Sequence, residues 1–177
     1  MTVSLHKFSP GFFPGTGDVC DTGLGKGRWY AVNVPMEDGI QDDRYYQIFT
    51  SVMQEVRSSF NPEAVVMQLG ADTMAGDPMC SFNMTPVGVS KCLRHVLQWE
   101  LPTLLLGGGG YNLANTARCW TYLTAAVWER PCRPRSQTTS FSPSTAPTTP
   151  WRSVRAADPT ATTRNTWTKS SPPSKGI

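Results

Sequence analysis

Histidine is scarce in this sequence: His6 and His95 are the only two in 177 residues. A metal centre built on several imidazoles cannot be assembled from that supply. Charged residues make up only 16% of the chain, and no apolar run approaches the roughly 20 residues that a membrane-spanning helix needs. Neither a membrane span nor a membrane partner is expected. The five cysteines (Cys20, Cys80, Cys92, Cys119, Cys132) are odd in number and never form Cys-x-x-Cys. That spacing argues against a disulfide framework and against a cysteine zinc site. With no signal-peptide pattern ahead of them, they read as thiols of a reduced, intracellular, soluble protein.

Acidic residues all but vanish late in the chain. Residues 130–177 hold eight Lys/Arg against the single Asp158, a net of +7, whereas residues 1–129 carry a net of −4. Eight of the 15 prolines also fall in that last stretch. A basic Pro/Ser/Thr/Arg-rich segment without apolar periodicity buries too little surface to offset chain entropy, so residues 130–177 are expected to be a disordered tail. Trp151 and Trp167 stand isolated there, and no interleaved aromatic and basic motif suggests direct nucleic-acid binding. The folded unit is expected to be residues 1–129.

Within that unit, apolar runs alternate with helical periodicity. "TVSLH" (2–6) and "WYAVNV" (29–34) read as strands separated by a glycine-rich loop. That loop opens no helix, so its glycines read as turn formers rather than a phosphate cradle. From Asp42, the residues Tyr45, Ile48, Phe49, Val52, Met53, Val56 and Phe60 recur at helical spacing, with Asp42 or Asp43 available as the cap. "AVVMQLG" (64–70) and "TLLLGGGG" (103–110) are short continuous apolar runs, which predict parallel strands buried on both faces. Thr85 and Pro86 supply a cap and a first-turn proline for a second helix lined by Val89, Leu93, Val96 and Leu97. A third helix is expected from Leu113 to about Trp128. Strands alternating with helices give an α/β class with a parallel sheet flanked by helices.

Ligands of open α/β sheets bind at the carboxyl ends of the strands. Two of those ends carry unusual residues here, "QLGAD" (68–72) and "GGGGY" (107–111). Asp72 offers a carboxylate, while Gly107 to Gly110 strip away side chains before Tyr111 supplies a phenol. The pair suits a metal ligand and a carbonyl-polarising donor. The plainer alternatives are an aspartate that forms a turn and a tyrosine that packs.

The stretches "VSLHKFSPGFFPGTGD", "VVMQLGADTMAGDPMCSFNMT" and "LLLGGGGYNLANTARCW" resemble the class I histone deacetylases, nearly without gaps from Met1 to about Val127. The resemblance implies part of the arginase/deacetylase-like α/β fold and zinc-dependent hydrolysis of the acetyl-lysine amide. It implies that Asp72 is a zinc ligand and that Tyr111 hydrogen-bonds the scissile carbonyl and then the oxyanion. Gly109 matches a position whose backbone meets the substrate amide. Phe13, beside Phe12, and Met79 match the apolar walls of a narrow lysine tunnel, with ordinary loop packing as the alternative. Ser4 and Leu5 match ligands of one structural potassium or sodium site, and Tyr30 matches a backbone ligand of a second. Arg28 matches a buried arginine, and His6 a position beside the cation site that is not a ligand. An acetylated histone or another acetyl-lysine protein is the implied partner, and the nucleus, with the cytoplasm, the implied location.

Other zinc ligands of the family, an Asp and a His, and its pair of catalytic histidines match segments upstream of the residue equivalent to Met1, as do the first strands of its sheet. The expectation is therefore an inactive isolated chain with an uncovered strand edge and apolar face, prone to aggregate. Two functions stay open: a portion of a zinc deacetylase, or a non-catalytic truncated isoform acting through partner binding. An acetylpolyamine hydrolase of the same fold is less well matched by "FNMTPVG" (82–88).

The tail carries a further sign. Back-translated with suitable codons and read two nucleotides on, "WERPCRPRSQTTSFS" yields GKTLSSEIPDHEFF, which resembles the family's own continuation. The same shifted frame gives YGPDY and SCRPDRN farther along. A one-nucleotide frame change near Val127 or Trp128 accounts for all three. Sequencing the transcript across that junction decides it, and an uninterrupted read encoding the tail would leave a genuine variant.

Overall fold

The computed structural model describes residues 1–79 and 81–128. The expected disordered tail, together with Cys80 and Cys132, lies outside the described residues. In chain order the elements are β1 (Thr2–Lys7), a single helical turn at Gly25–Gly27, β2 (Ala31–Met36), α1 (Asp42–Ser59) and β3 (Val65–Gln68). A second short turn at Ala71–Thr73, α2 (Pro86–Leu97), β4 (Thr103–Leu106) and α3 (Leu113–Val127) complete the order.

The α/β alternation appears as expected, with the strands arranged as two parallel pairs. β1 pairs with β2, placing Ser4 beside Asn33, and β3 pairs with β4, placing Val66 beside Leu104. No hydrogen-bonded ladder joins the two pairs. β2 begins later than the sequence suggests because Trp29 takes a left-handed φ of 74° and the Tyr30 N–H donates to the Gly27 carbonyl, so both residues finish the preceding turn. Pro35 is accommodated because, among the described residues, β2 pairs on one side only.

Burial of the second pair departs from expectation. Val65, Met67 and Leu105 face inward, whereas Val66 is 67% exposed and Leu104 57%. Leu106 shares that outer face, leaving an apolar stripe in solvent. A continuous apolar run marks a strand built to be covered on both faces, and the described residues cover one.

Helix α1 buries Phe49 and Met53, with Asp42 and Asp43 in its first turn and Arg57 in its last, complementing the helix dipole. Its N-cap is Gln41, and no side chain bonds the cap amides. Asp42 is occupied elsewhere: its carboxylate accepts from the backbone N–H of Thr85 at 2.8 Å and from the Thr85 hydroxyl. That hydroxyl in turn caps α2 by accepting from the Gly88 N–H at 3.4 Å. One carboxylate thus joins the starts of α1 and α2.

The core forms two clusters, and α2 contributes to both. Leu93, fully buried, packs with Met36, Met84, Cys119 and Leu123, while Cys92 and Val96 pack with Phe49 and Met53. His95 lies in an aromatic nest on the same helix, edge-on to Tyr46, Phe49 and Trp99, so its place is structural. Among the described residues no helix is long and apolar enough to cross a membrane.

Cys20, Cys92 and Cys119 are free thiols, the first exposed and the others buried. Burial pushes the Cys119 thiol from its ordinary value of 9.0 up to about 11. It pushes Cys92 up to about 12, helped by the nearby Asp42 carboxylate. Unfolded, these thiols ionise first, so their contribution to stability is full below about pH 9 and is lost as pH rises through the folded values. At pH 7.5 iodoacetamide is expected to label Cys20 and spare Cys92 and Cys119 until the chain is unfolded. Equal native labelling of Cys92 and Cys20, read by mass spectrometry, would refute this.

Candidate functional site

The carboxyl ends of β3 and β4 are tied together by backbone, with the Ala71 N–H donating to the Gly109 carbonyl at 2.7 Å. Trp120 of α3 braces them by donating its indole N–H to the Leu69 carbonyl at 2.9 Å. Asp72 projects from the turn after β3 into this junction. A Cβ at Gly109 would stand 2.2 Å from Asp72 Oδ2, and one at Gly70 would stand 2.7 Å from Oδ1. A Cβ at Gly108 would meet the Gly70 Cα at 2.8 Å. The glycines therefore make room for the carboxylate and for backbone against backbone. That requirement lies inside the protein and exists whether or not a substrate amide meets Gly109. Among the described residues, the Asp72 carboxylate has no hydrogen-bond or ion-pair partner, which leaves its oxygens available to a ligand.

A cleft of about 840 Å³ opens in front of Asp72. Gly109, Phe13, Met79, Ser4 and Leu5 all line it with Asp72, so six of the eight residues to which the resemblance gives a catalytic, substrate-binding or metal role share one cavity. Phe13 is 83% exposed and Met79 55%, and both border the cleft. Tyr111 and Tyr30 do not line the cleft. Tyr111 sits beside it on the loop after β4 and is 58% exposed.

Asp77 is the residue the sequence reading missed. It is 6% exposed, and it accepts from the N–H groups of Met79 at 2.9 Å, Tyr111 at 2.7 Å and Asn112 at 3.1 Å. A single buried carboxylate therefore fixes the wall residue Met79 and the phenol-bearing Tyr111 relative to each other. In sequence, Asp77 before Pro78 looks like an ordinary turn former, and its three partners are backbone amides that leave no signature.

At the start of the cleft, His6 bridges two groups. Its Nε2 lies 2.8 Å from the Gly17 carbonyl and its Nδ1 2.8 Å from the Ser4 hydroxyl. A carbonyl only accepts, so Nε2 carries the proton and Ser4 donates to Nδ1. Gly17 has a φ of 99°, and a Cβ there would meet His6 Nε2 at 2.4 Å. The Tyr30 carbonyl accepts from the Thr2 N–H at 2.8 Å. Arg28, for which the resemblance implies burial, is instead exposed, its guanidinium 4.8 Å over the Trp29 ring.

The histone deacetylase domain family matches residues 1–127. The chain belongs to the histone deacetylase family. It is 87% identical over 127 residues to histone deacetylase 8 of Danio rerio, covering 72% of this chain and 34% of that relative. Histone deacetylase 8 of Xenopus laevis is 77% identical over the same length, which is 39% of it. Histone deacetylase 1 of Homo sapiens is 54% identical over 127 residues, or 26% of it. The chain spans about a third of the length of the curated relatives it matches.

Zinc implied by this family does not fit the described residues by themselves. Zinc centres need about three protein ligands and an open position. No group of three or more His, Cys, Asp or Glu able to hold a metal occurs among the described residues. Asp72 belongs to no such group among the described residues.

Proposed function

We propose that these residues form one wall of a zinc-dependent protein lysine deacetylase site, in which Asp72 supplies one zinc ligand and further ligands come from outside them. The observation that carries this reading is the unpartnered Asp72 carboxylate, seated between Gly70 and Gly109 at the head of a cleft walled by Phe13 and Met79. Zinc, when bound, would polarise the acetyl carbonyl. The chain's own part is to guide the acetyl-lysine side chain between apolar walls and to offer the Tyr111 phenol as hydrogen-bond donor to the carbonyl and then to the oxyanion. Met79 and Tyr111 act at a fixed separation because Asp77 holds both backbones. On this reading the substrate is an acetylated histone or another acetyl-lysine protein in the nucleus or cytoplasm. Ser4, Leu5 and Tyr30 help hold potassium or sodium behind the site.

The 177-residue chain by itself is then inert. Purified, it is expected to carry well under one zinc per chain and to show no deacetylation that Tyr111→Phe abolishes. Stoichiometric zinc with Tyr111-dependent turnover would overturn the inertness and the count of ligands. A second reading, a non-catalytic isoform acting through partner binding, is favoured by the exposed stripe of Val66, Leu104 and Leu106.

A further inference from the structure

Bonds of a parallel ladder are evenly spaced, so the two strands advance along it together. β3 and β4 keep that step up to Leu69, whose N–H donates to the Leu106 carbonyl at 2.9 Å. The next two rungs of a regular ladder would run from the Gly108 N–H to the Leu69 carbonyl and from the Ala71 N–H to the Gly108 carbonyl. Neither bond forms. The Leu69 carbonyl accepts from the Trp120 indole instead, and the Ala71 N–H reaches the Gly109 carbonyl. From Leu69 to Ala71 is a step of two residues, whereas from Leu106 to Gly109 is a step of three. The glycine run therefore carries one extra residue, a β-bulge.

The faces of the glycines give the same count. A Cβ on Gly107 would meet the Trp120 ring at 3.1 Å, and one on Gly110 would meet Thr116 Oγ1 at 2.5 Å, so both positions face α3. Strand alternation would put Gly107, Gly109 and Tyr111 on one face and Gly110 on the other. An extra residue reverses that parity for everything after it. Tyr111 accordingly stands 58% exposed beside the cleft, where unbroken alternation would turn its phenol toward α3. A bulge between parallel strands is rare and breaks the ladder locally. Here the carbonyl it leaves over is that of Leu69, and Trp120 supplies the donor. Trp120 belongs to neither core cluster, and α3 buries Thr116, Cys119, Leu123 and Ala126 without it.

We propose that Trp120 is a positioning residue of the site: its indole N–H occupies the Leu69 carbonyl, keeps the Gly108 rung from closing, and so holds the bulge that turns Tyr111 away from α3. On the reading of Tyr111 as hydrogen-bond donor to the acetyl carbonyl, on which this proposal rests, Trp120 decides which face the donor takes. The same bulge sets Gly109 against the Asp72 carboxylate. Gly107 is needed for it too, since a Cβ there would crowd the ring that carries the donor. Without the indole N–H the Leu69 carbonyl loses its partner, and an unpaired backbone carbonyl is costly. The nearest repair is the missing rung from Gly108, because glycines take up new backbone angles without steric cost. Closing it restores regular register and redirects the Tyr111 side chain.

The test uses the 177-residue chain, the same chain with benzothienylalanine in place of Trp120, and Trp120→Phe. Benzothienylalanine keeps the bicyclic shape and puts sulfur where the indole carries its N–H, so it removes the donor alone. Amide exchange is read residue by residue by NMR. In the parent, Gly108 is expected to exchange about tenfold faster than Leu69, which keeps its rung. In both altered chains Gly108 is expected to slow about tenfold as its rung closes, with the Tyr111 ring resonances shifting. A residue that merely packs would, when removed, speed exchange and never slow it at one glycine. A parent Gly108 as protected as Leu69 overturns the proposal by itself. So does either altered chain in which Gly108 is unchanged or faster, unfolding included. No zinc, substrate or turnover enters this measurement, so its failure leaves the deacetylase reading standing and is told apart from a failure of that reading.

Discussion

Replacing Asp77 with alanine is expected to lower the unfolding free energy of the chain by about 3–5 kcal/mol, because three amides lose a charged acceptor at once. Each bond to a charged group is worth roughly 1.5–3 kcal/mol and the three are not additive, so the estimate lies below their sum. The donors are the Met79, Tyr111 and Asn112 N–H groups. With Asp77 itself 6% exposed, water is poorly placed to substitute. Asp77→Asn keeps one acceptor oxygen and is expected to lose about half as much. Urea unfolding of the three proteins is the measurement. An alanine variant within about 1 kcal/mol of the parent would show that the brace is not holding these loops.

Gly88→Ala is the second large effect, with an expected cost of about 2–4 kcal/mol from overpacking and a displaced carboxylate. An added Cβ would stand 2.2 Å from Asp42 Oδ1 and 2.3 Å from its Cγ. The Asp42 side chain must then leave Thr85, uncoupling the starts of α1 and α2. Gly27→Ala meets open space with no left-handed φ and is expected to stay within about 0.5 kcal/mol of the parent. The decisive comparison is a double-mutant cycle with Asp42→Ala. If Gly88→Ala costs as much without the Asp42 carboxylate as with it, the steric account fails.

Local rules made α1, α2 and α3 readable: apolar spacing, Thr85 before Pro86, and the buried faces all agree with the helices observed. Features set by long-range partners were not readable in the same way. Asp42 has the chemistry of a helix cap, yet it serves Thr85, 43 positions away. The runs around Val66 and Leu104 have the composition of doubly covered strands, but composition cannot say what covers them. Gly107 to Gly110 announced a close approach, and only the fold reveals that Gly109 admits the Asp72 carboxylate. The matching motifs led to Asp72, Phe13 and Met79, which share the cleft, whereas Asp77 acts on backbone amides and no residue type betrays it.

Because α2 supplies side chains to both halves of the core, neither half can melt while the other stays intact. Leu93 and Cys92 are neighbours in the chain but belong to different clusters. Pulling that helix out dissolves both, so the three helices and the β3–β4 pair behave as a single cooperative unit. The β1–β2 pair joins the same unit through its side chains, since Met36 is buried in one cluster and Val3 and Leu5 pack against the other. The slowest-exchanging amides are therefore expected in the middle of α2, where the two clusters meet.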